Sequence, residues 1–203
     1  AAARRAKATR SAKLFGVEVR DTVVNFSGVH RHVHSVIAAV APADSAERFT
    51  GLGVRVIHAQ AKFKDRNTVV AGDIEIRARR FVIATGSKPA LPAIPGLDSG
   101  PYLTSESIFD LTERPEHLII IGAGSTGLEL AQGFRRLGSS VTVIEAAQPL
   151  DKDDPECTAI VLAQLEREGV VIRSGVNVVD ITHAGRTVTA TIDSGGAEQT
   201  ITG

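Results

Sequence analysis

The densest chemical signal in the chain is the run Gly122, Ala123, Gly124, Ser125, Thr126, Gly127. Its glycine spacing suits a phosphate-binding turn between a strand and a helix. The first glycine permits a tight turn. The second lets backbone approach a pyrophosphate with no Cβ in the way, and the third lets helix and strand pack closely. Free N–H groups at the helix start then face the phosphates. Glu145 closes the next apolar run, where a carboxylate accepts hydrogen bonds from ribose hydroxyls and repels a 2′-phosphate. No arginine lies between Ala146 and Asp151 to reverse that preference. The chemistry predicted is binding of the adenosine half of NAD(H), with NADH preferred over NADPH.

Other reactive side chains lack companions in the sequence. His30 and His34 share a helix face, but no Cys, Asp or Glu at ligand spacing completes a metal site. No metal is expected, and these read as surface histidines. Cys157 is the one cysteine, which leaves no internal disulfide and no Cys-based zinc site. It is expected to be small, partly buried and not catalytic. Residues 1 to 15 carry Arg4, Arg5, Lys7, Arg10 and Lys13 with no acid. A phosphate or nucleic-acid patch is one reading of that run, and a solvated helix face is the one preferred.

The elements that must position the glycine turn follow from hydrophobic periodicity. Leu118–Ile121 is apolar without alternation, as expected of a parallel strand buried on both faces. Ser125–Leu137 reads as a helix with Leu130, Ala131, Phe134 and Leu137 inward and Gly138 as its C-terminal cap. Val141–Ile144 is the second buried strand. Asp154 and Pro155 open another helix as cap and first position. Val170–Ile172 is a third strand. Val176–Ile181 and Thr187–Ile192 read as a meander turning at Gly185 and Gly195-Gly196.

Upstream, residues 1–15 and 25–40 read as helices. The second has an apolar stripe of Phe26, Val29, Val33, Val36, Ile37 and Val40. Strands are expected at Val54–His58, Thr68–Ala71, Ile74–Arg77 and Phe81–Ala84, with turns at Lys64–Thr68 and Gly72-Asp73. Pro89, Pro92, Pro95 and Pro101 mark an ordered linker.

Composition bounds the rest. Of 203 residues, 43% are hydrophobic and 23% charged, with zero formal net charge. That is a globular composition, with no global field to attract nucleic acid or an anionic membrane. No apolar run approaches a membrane span. The basic N-terminus has no apolar core segment or cleavage site, so a secretory signal is not expected. The lone cysteine points to a reducing, cytoplasmic setting. The chain has no methionine, opens within a helix and closes just after a strand-like stretch, so a piece of a longer protein is expected.

Two phrases in series carry a resemblance. FVIATGSKP (Phe81–Pro89), followed by PAIPGL, YLTSESIFDL and IIIGAGSTGLELAQGF, resembles the pyridine nucleotide-disulfide oxidoreductases. It is most similar to their mercuric reductase and dihydrolipoamide dehydrogenase branch. The resemblance implies an FAD domain interrupted by an NAD(P) domain, and electron flow from NAD(P)H through FAD to a redox disulfide. It implies that Ala84, Thr85 and Gly86 pass close to FAD, that Gln60 and Ala61 meet its adenine, and that Ser105 and Glu106 lie near the flavin. It gives Glu129 a supporting place beside the flavin, paired in relatives with a lysine. That lysine, the first FAD fingerprint, the cysteine pair and the dimerisation domain with its catalytic histidine have no counterpart in these 203 residues. Ser125 stands where many relatives carry a nicotinamide-gating tyrosine, so no stacking gate is expected.

Together these readings predict an α/β chain. Residues 1–112 form an incomplete FAD-binding lobe, and residues 113–203 a near-complete Rossmann-like NAD lobe. The expected function is hydride transfer from NAD(P)H to FAD and on to a disulfide or related acceptor, in a homodimeric parent protein. No catalytic residue is assigned within the chain itself, which is expected to be inactive alone. The alternative is a dinucleotide-sensing module without redox turnover.

Overall fold

A computed structural model describes residues 1–203. In chain order the elements are α1 (Ala2–Ser11), α2 (Phe26–Val40), α3 (Ala46–Gly51), β1 (Ala61–Asp65), β2 (Thr68–Ala71), β3 (Ile74–Arg77), β4 (His117–Ile121), α4 (Ser125–Leu137), β5 (Ser140–Glu145), α5 (Pro155–Arg167), β6 (Val171–Ser174), β7 (Asn177–Ala184), β8 (Thr187–Asp193) and β9 (Glu198–Thr202). The chain is mixed α/β, with one parallel sheet, β4-β5-β6, and two antiparallel sheets, β1-β2-β3 and β7-β8-β9. It divides into two compact units, Ala1–Val33 with Pro89–Gly203, and His34–Lys88.

In the larger unit β5 is the central parallel strand, and its residues alternate between two cores. Val141 and Val143 join Ala123, Leu128, Ala131, Phe134, Leu165 and Val170 on the helical side. Ile144 joins Val176, Ala190 and Ile192 on the meander side. The strand is therefore buried on both faces, as its unbroken apolar run predicts. β4 departs from that expectation. It pairs only with β5, is half-buried, and ends on an exposed Ile121. His117 ties the layers together. Its Nδ1 lies 2.8 Å from the Thr202 carbonyl and its Nε2 2.9 Å from the Thr142 hydroxyl. A carbonyl only accepts, so Nδ1 carries the proton.

α4 spans the residues the sequence predicts and ends on Gly138 at φ 107°, a left-handed cap. Its buried side chains are Leu128, Ala131, Phe134 and Leu137, while Leu130 is half-buried. α5 starts as expected, with the Asp154 carboxylate accepting the N–H groups of Glu156 and Cys157. Cys157 itself is exposed, not partly buried, because it lies in the first turn of α5, two turns ahead of the buried Leu165.

Glu168, just past α5, joins three helices. It accepts Lys7 of α1 at 2.7 Å, Arg136 of α4 at 2.7 and 2.8 Å, and Gln164 of α5 at 2.8 Å. These donors, Arg136 foremost, hold its carboxyl down to about 2. The linker docks on β7. The Pro95 carbonyl accepts the Ile181 N–H at 2.9 Å, and a Cβ on Gly96 would stand 1.8 Å from the Ile181 oxygen.

The smaller unit corrects several expectations. Val54–His58 forms no strand, and neither does Phe81–Ala84, where Val82 is 91% exposed. An extended run becomes a strand only by pairing, and these two have no neighbour to pair with. β1 was not expected, and its last two residues, Lys64 and Asp65, fall within the turn read at Lys64–Thr68, of which only residues 66–67 turn. The stripe of α2, a helix whose residues divide between the two units after Val33, forms on the helix, yet none of its residues is fully buried. Val36, Ile37 and Val40 are about half exposed.

Candidate functional site

The Gly122–Gly127 turn is built as its glycines require. Gly122 leaves β4 at φ 106°, a left-handed geometry closed to most side chains. Its N–H donates to the Ile144 carbonyl at 2.8 Å. A Cβ on Gly127 would stand 2.2 Å from the Gly122 oxygen and 3.5 Å from Ile120, so only glycine lets α4 lie this close to β4. Gly124 is different. Nothing lies within 4 Å of its Cβ position, and that open side is what a ligand against the backbone needs.

Gly124 is also the N-cap of α4 and supplies no side-chain acceptor. The first intrahelical bond is from Leu128 N–H to the Gly124 carbonyl at 3.0 Å. The N–H groups of Ser125, Thr126 and Gly127 therefore have no helical partner. No acid sits in the first turn, and Ser125 and Thr126 are exposed. The end of the helix carries about half a positive charge, which an anion would neutralise.

Between strand and helix, Ala123 is wholly buried and held at both backbone groups. Its N–H donates to Glu145 Oε2 at 2.8 Å, and its carbonyl accepts the Leu150 N–H at 3.2 Å. Leu150 has φ 53°, rare for a bulky residue. Such a conformation costs about 1–3 kcal/mol and is held here by that bond and by packing on the core. Glu145 Oε1 accepts the Ala147 N–H at 2.9 Å. A carboxylate has about four acceptor positions, so two remain for further donors. Sequence reasoning identified Glu145 but missed its grip on Ala123, and it missed Leu150, whose residue type carries no signal.

The structure thus brings Gly122, Gly124, Ser125, Thr126, Gly127 and Glu145 into one site. Glu129 lies one turn further along α4 and is exposed. Ser105 is exposed in a turn where Thr104 N–H donates to the Ser107 hydroxyl at 3.0 Å. The remaining candidates belong to the His34–Lys88 unit. Gln60 is exposed just before β1, and Ala61 opens that strand opposite Ala71. Ala84, Thr85 and Gly86 are exposed irregular backbone, with Gly86 at φ 69° and open space at its Cβ position.

The family model for pyridine nucleotide-disulphide oxidoreductase matches residues 1–202. A mercuric reductase of Bacillus cereus is 41% identical over 124 residues, covering 61% of this chain and 20% of that protein. One of Streptomyces lividans is 33% identical over 165 residues, covering 77% of this chain and 35% of that protein. The chain therefore spans about a fifth to a third of the length of these relatives. The solved structure of the HOCl-induced flavoprotein disulfide reductase RclA from Escherichia coli superposes with a TM-score of 0.72 at 26% identity. That match covers 98% of this chain and 43% of the RclA chain.

Proposed function

Because the chain belongs to the pyridine nucleotide-disulphide oxidoreductase family, we propose that it is the NAD(H)-binding portion, with part of the FAD-binding portion, of a flavoprotein reductase. In this reading residues 113–203 are the NAD lobe and residues 1–112 contribute to the FAD lobe. When bound, NADH supplies a hydride and FAD accepts it for delivery to a disulfide or related acceptor. The N–H groups of Ser125, Thr126 and Gly127 donate to the pyrophosphate. Glu145 accepts the adenosine ribose hydroxyls and keeps Ala123 in place. Its negative charge disfavours NADPH. Ala84, Thr85 and Gly86, with Gln60 and Ala61, supply flavin contacts, and Ser105 and Glu129 stand beside the flavin. A homodimeric, cytoplasmic parent protein completes the reading. No helix is long and apolar enough to cross a membrane.

The single observation that carries this reading is the open side of Gly124 beside an uncapped, acid-free helix start. The direct test is calorimetric titration of the chain with NADH and NADPH. Saturable NADH binding that exceeds NADPH binding is expected, without turnover of a disulfide, since one cysteine cannot form a redox pair. Equal binding of both would overturn the preference, and absence of binding would overturn the site. A longer parent protein that binds NADH but never carries flavin would be a sensor, not a reductase.

A further inference from the structure

Dinucleotide binding leaves the basic helix α1 unexplained. Arg4, Arg5, Arg10 and Lys13 are exposed, as a solvated face requires, while Lys7 is half-buried and reaches Glu168. Beside α1 lies a cleft of about 390 Å³, lined by Lys7, Arg10, Arg135, Arg136, Gly138 and Glu168. Four of these are cations and one is an acid.

That acid is already spent on Lys7, Arg136 and Gln164. Arg135 bonds only neutral acceptors, the Glu168 carbonyl at 2.9 Å and the Ser139 carbonyl at 3.2 Å. The C-termini of α4 and α5 end here and cancel about one further positive charge between them. An excess of roughly two positive charges remains after that cancellation. A second concavity adjoins the first, sharing Arg10 and adding Lys13 and Arg20 against Asp21 alone. Arg10 therefore stands between two adjacent basic hollows. Planar guanidinium groups match phosphate oxygens in pairs, and two linked hollows suit two linked phosphates.

We propose that this double cleft is a second anion site, which binds a small diphosphate-bearing ligand independently of the dinucleotide turn. The two sites lie at opposite ends of α4, whose 13 residues separate them by about 20 Å.

The test is titration of the 203-residue chain with inorganic pyrophosphate, alone and with saturating NADH. Saturable binding that NADH does not displace is expected. Arg10→Glu should weaken it at least about tenfold, Arg10→Gln should weaken it less, and Arg10→Lys, which keeps the charge but loses the planar fork, should fall between Arg10→Gln and the parent. Thermal melts of each variant report whether the fold is retained. The NADH affinity of all three variants should match the parent, which separates this site from the dinucleotide reading. Absence of saturable pyrophosphate binding overturns the proposal. So does displacement by NADH, or unchanged affinity in folded Arg10→Glu and Arg10→Gln.

Discussion

Glu145 Oε2 accepts the Ala123 backbone N–H at 2.8 Å, so the acid that ends β5 also braces the glycine turn. Replacing it removes the proposed ribose acceptor and a turn support together. Glu145→Ala is expected to weaken NADH binding and to move the NADH-to-NADPH preference by about 1–3 kcal/mol toward NADPH. NADPH affinity should rise less than that shift, because the turn loosens for both ligands. Dissociation constants for the two nucleotides measure this, and an unchanged ratio would remove Glu145 from cofactor choice.

The two glycines of the turn should respond oppositely. Gly127→Ala puts a methyl group 2.2 Å from the Gly122 oxygen. Its cost is expected to be about 1–3 kcal/mol or more of stability, seen in denaturant melts. Gly124→Val adds its side chain from a Cβ position with open space around it to 4 Å. It should melt close to the parent and lose NADH binding. Normal NADH binding by Gly124→Val would mean that the pyrophosphate lies elsewhere.

Glu168 sets an acid limit on stability. Its folded carboxyl is held down to about 2 from an ordinary 4.5, chiefly by Arg136. Being depressed on folding, it stabilises fully above about pH 4.5, and that stability is lost as pH falls toward 2. After allowance for partial solvent screening, the increment is about 1–3 kcal/mol. Glu168→Gln should lose it at neutral pH and show a flatter melting profile between pH 4.5 and 2. An unchanged profile would mean that the three-helix junction carries no stability.

Cys157 is exposed near the start of α5. It should react with an aromatic disulfide reagent in the native state, at a rate close to that in denaturant. Cys157→Ser should bind NADH as the parent does. A large loss of binding in that variant would give the thiol a role the fold does not suggest.

Local signals made much of this fold legible. α4 carried its own start in the glycine turn, its stripe in Ala131, Phe134 and Leu137, and its stop in Gly138. Asp154 and Pro155 announced α5 in the same way. What depends on a distant partner was not legible. Phe81–Ala84 has the composition of a strand and no neighbour to make it one. β1 has one large apolar residue, Phe63, and owes its strand geometry to pairing with β2. Lys7 and Glu168 stand 161 residues apart, and no periodicity links them. Within the site the glycines and Glu145 were readable because each has a residue-specific task. The hold on Ala123 uses backbone groups that every residue possesses.

The linker along β7 has a consequence for how the molecule behaves in a crowded solution. β7 pairs with β8 on one side only, so its outer edge is a template on which another chain's strand could grow. Pro95 occupies that edge at Ile181 and, like Pro92, has no N–H to offer onward. Gly96 fits against it only because a side chain would strike the Ile181 oxygen. The strap thus works as a selvedge, finishing the sheet so that it does not unravel into its neighbours. Loosening it, by a bulkier residue at Gly96, would show first as self-association on storage.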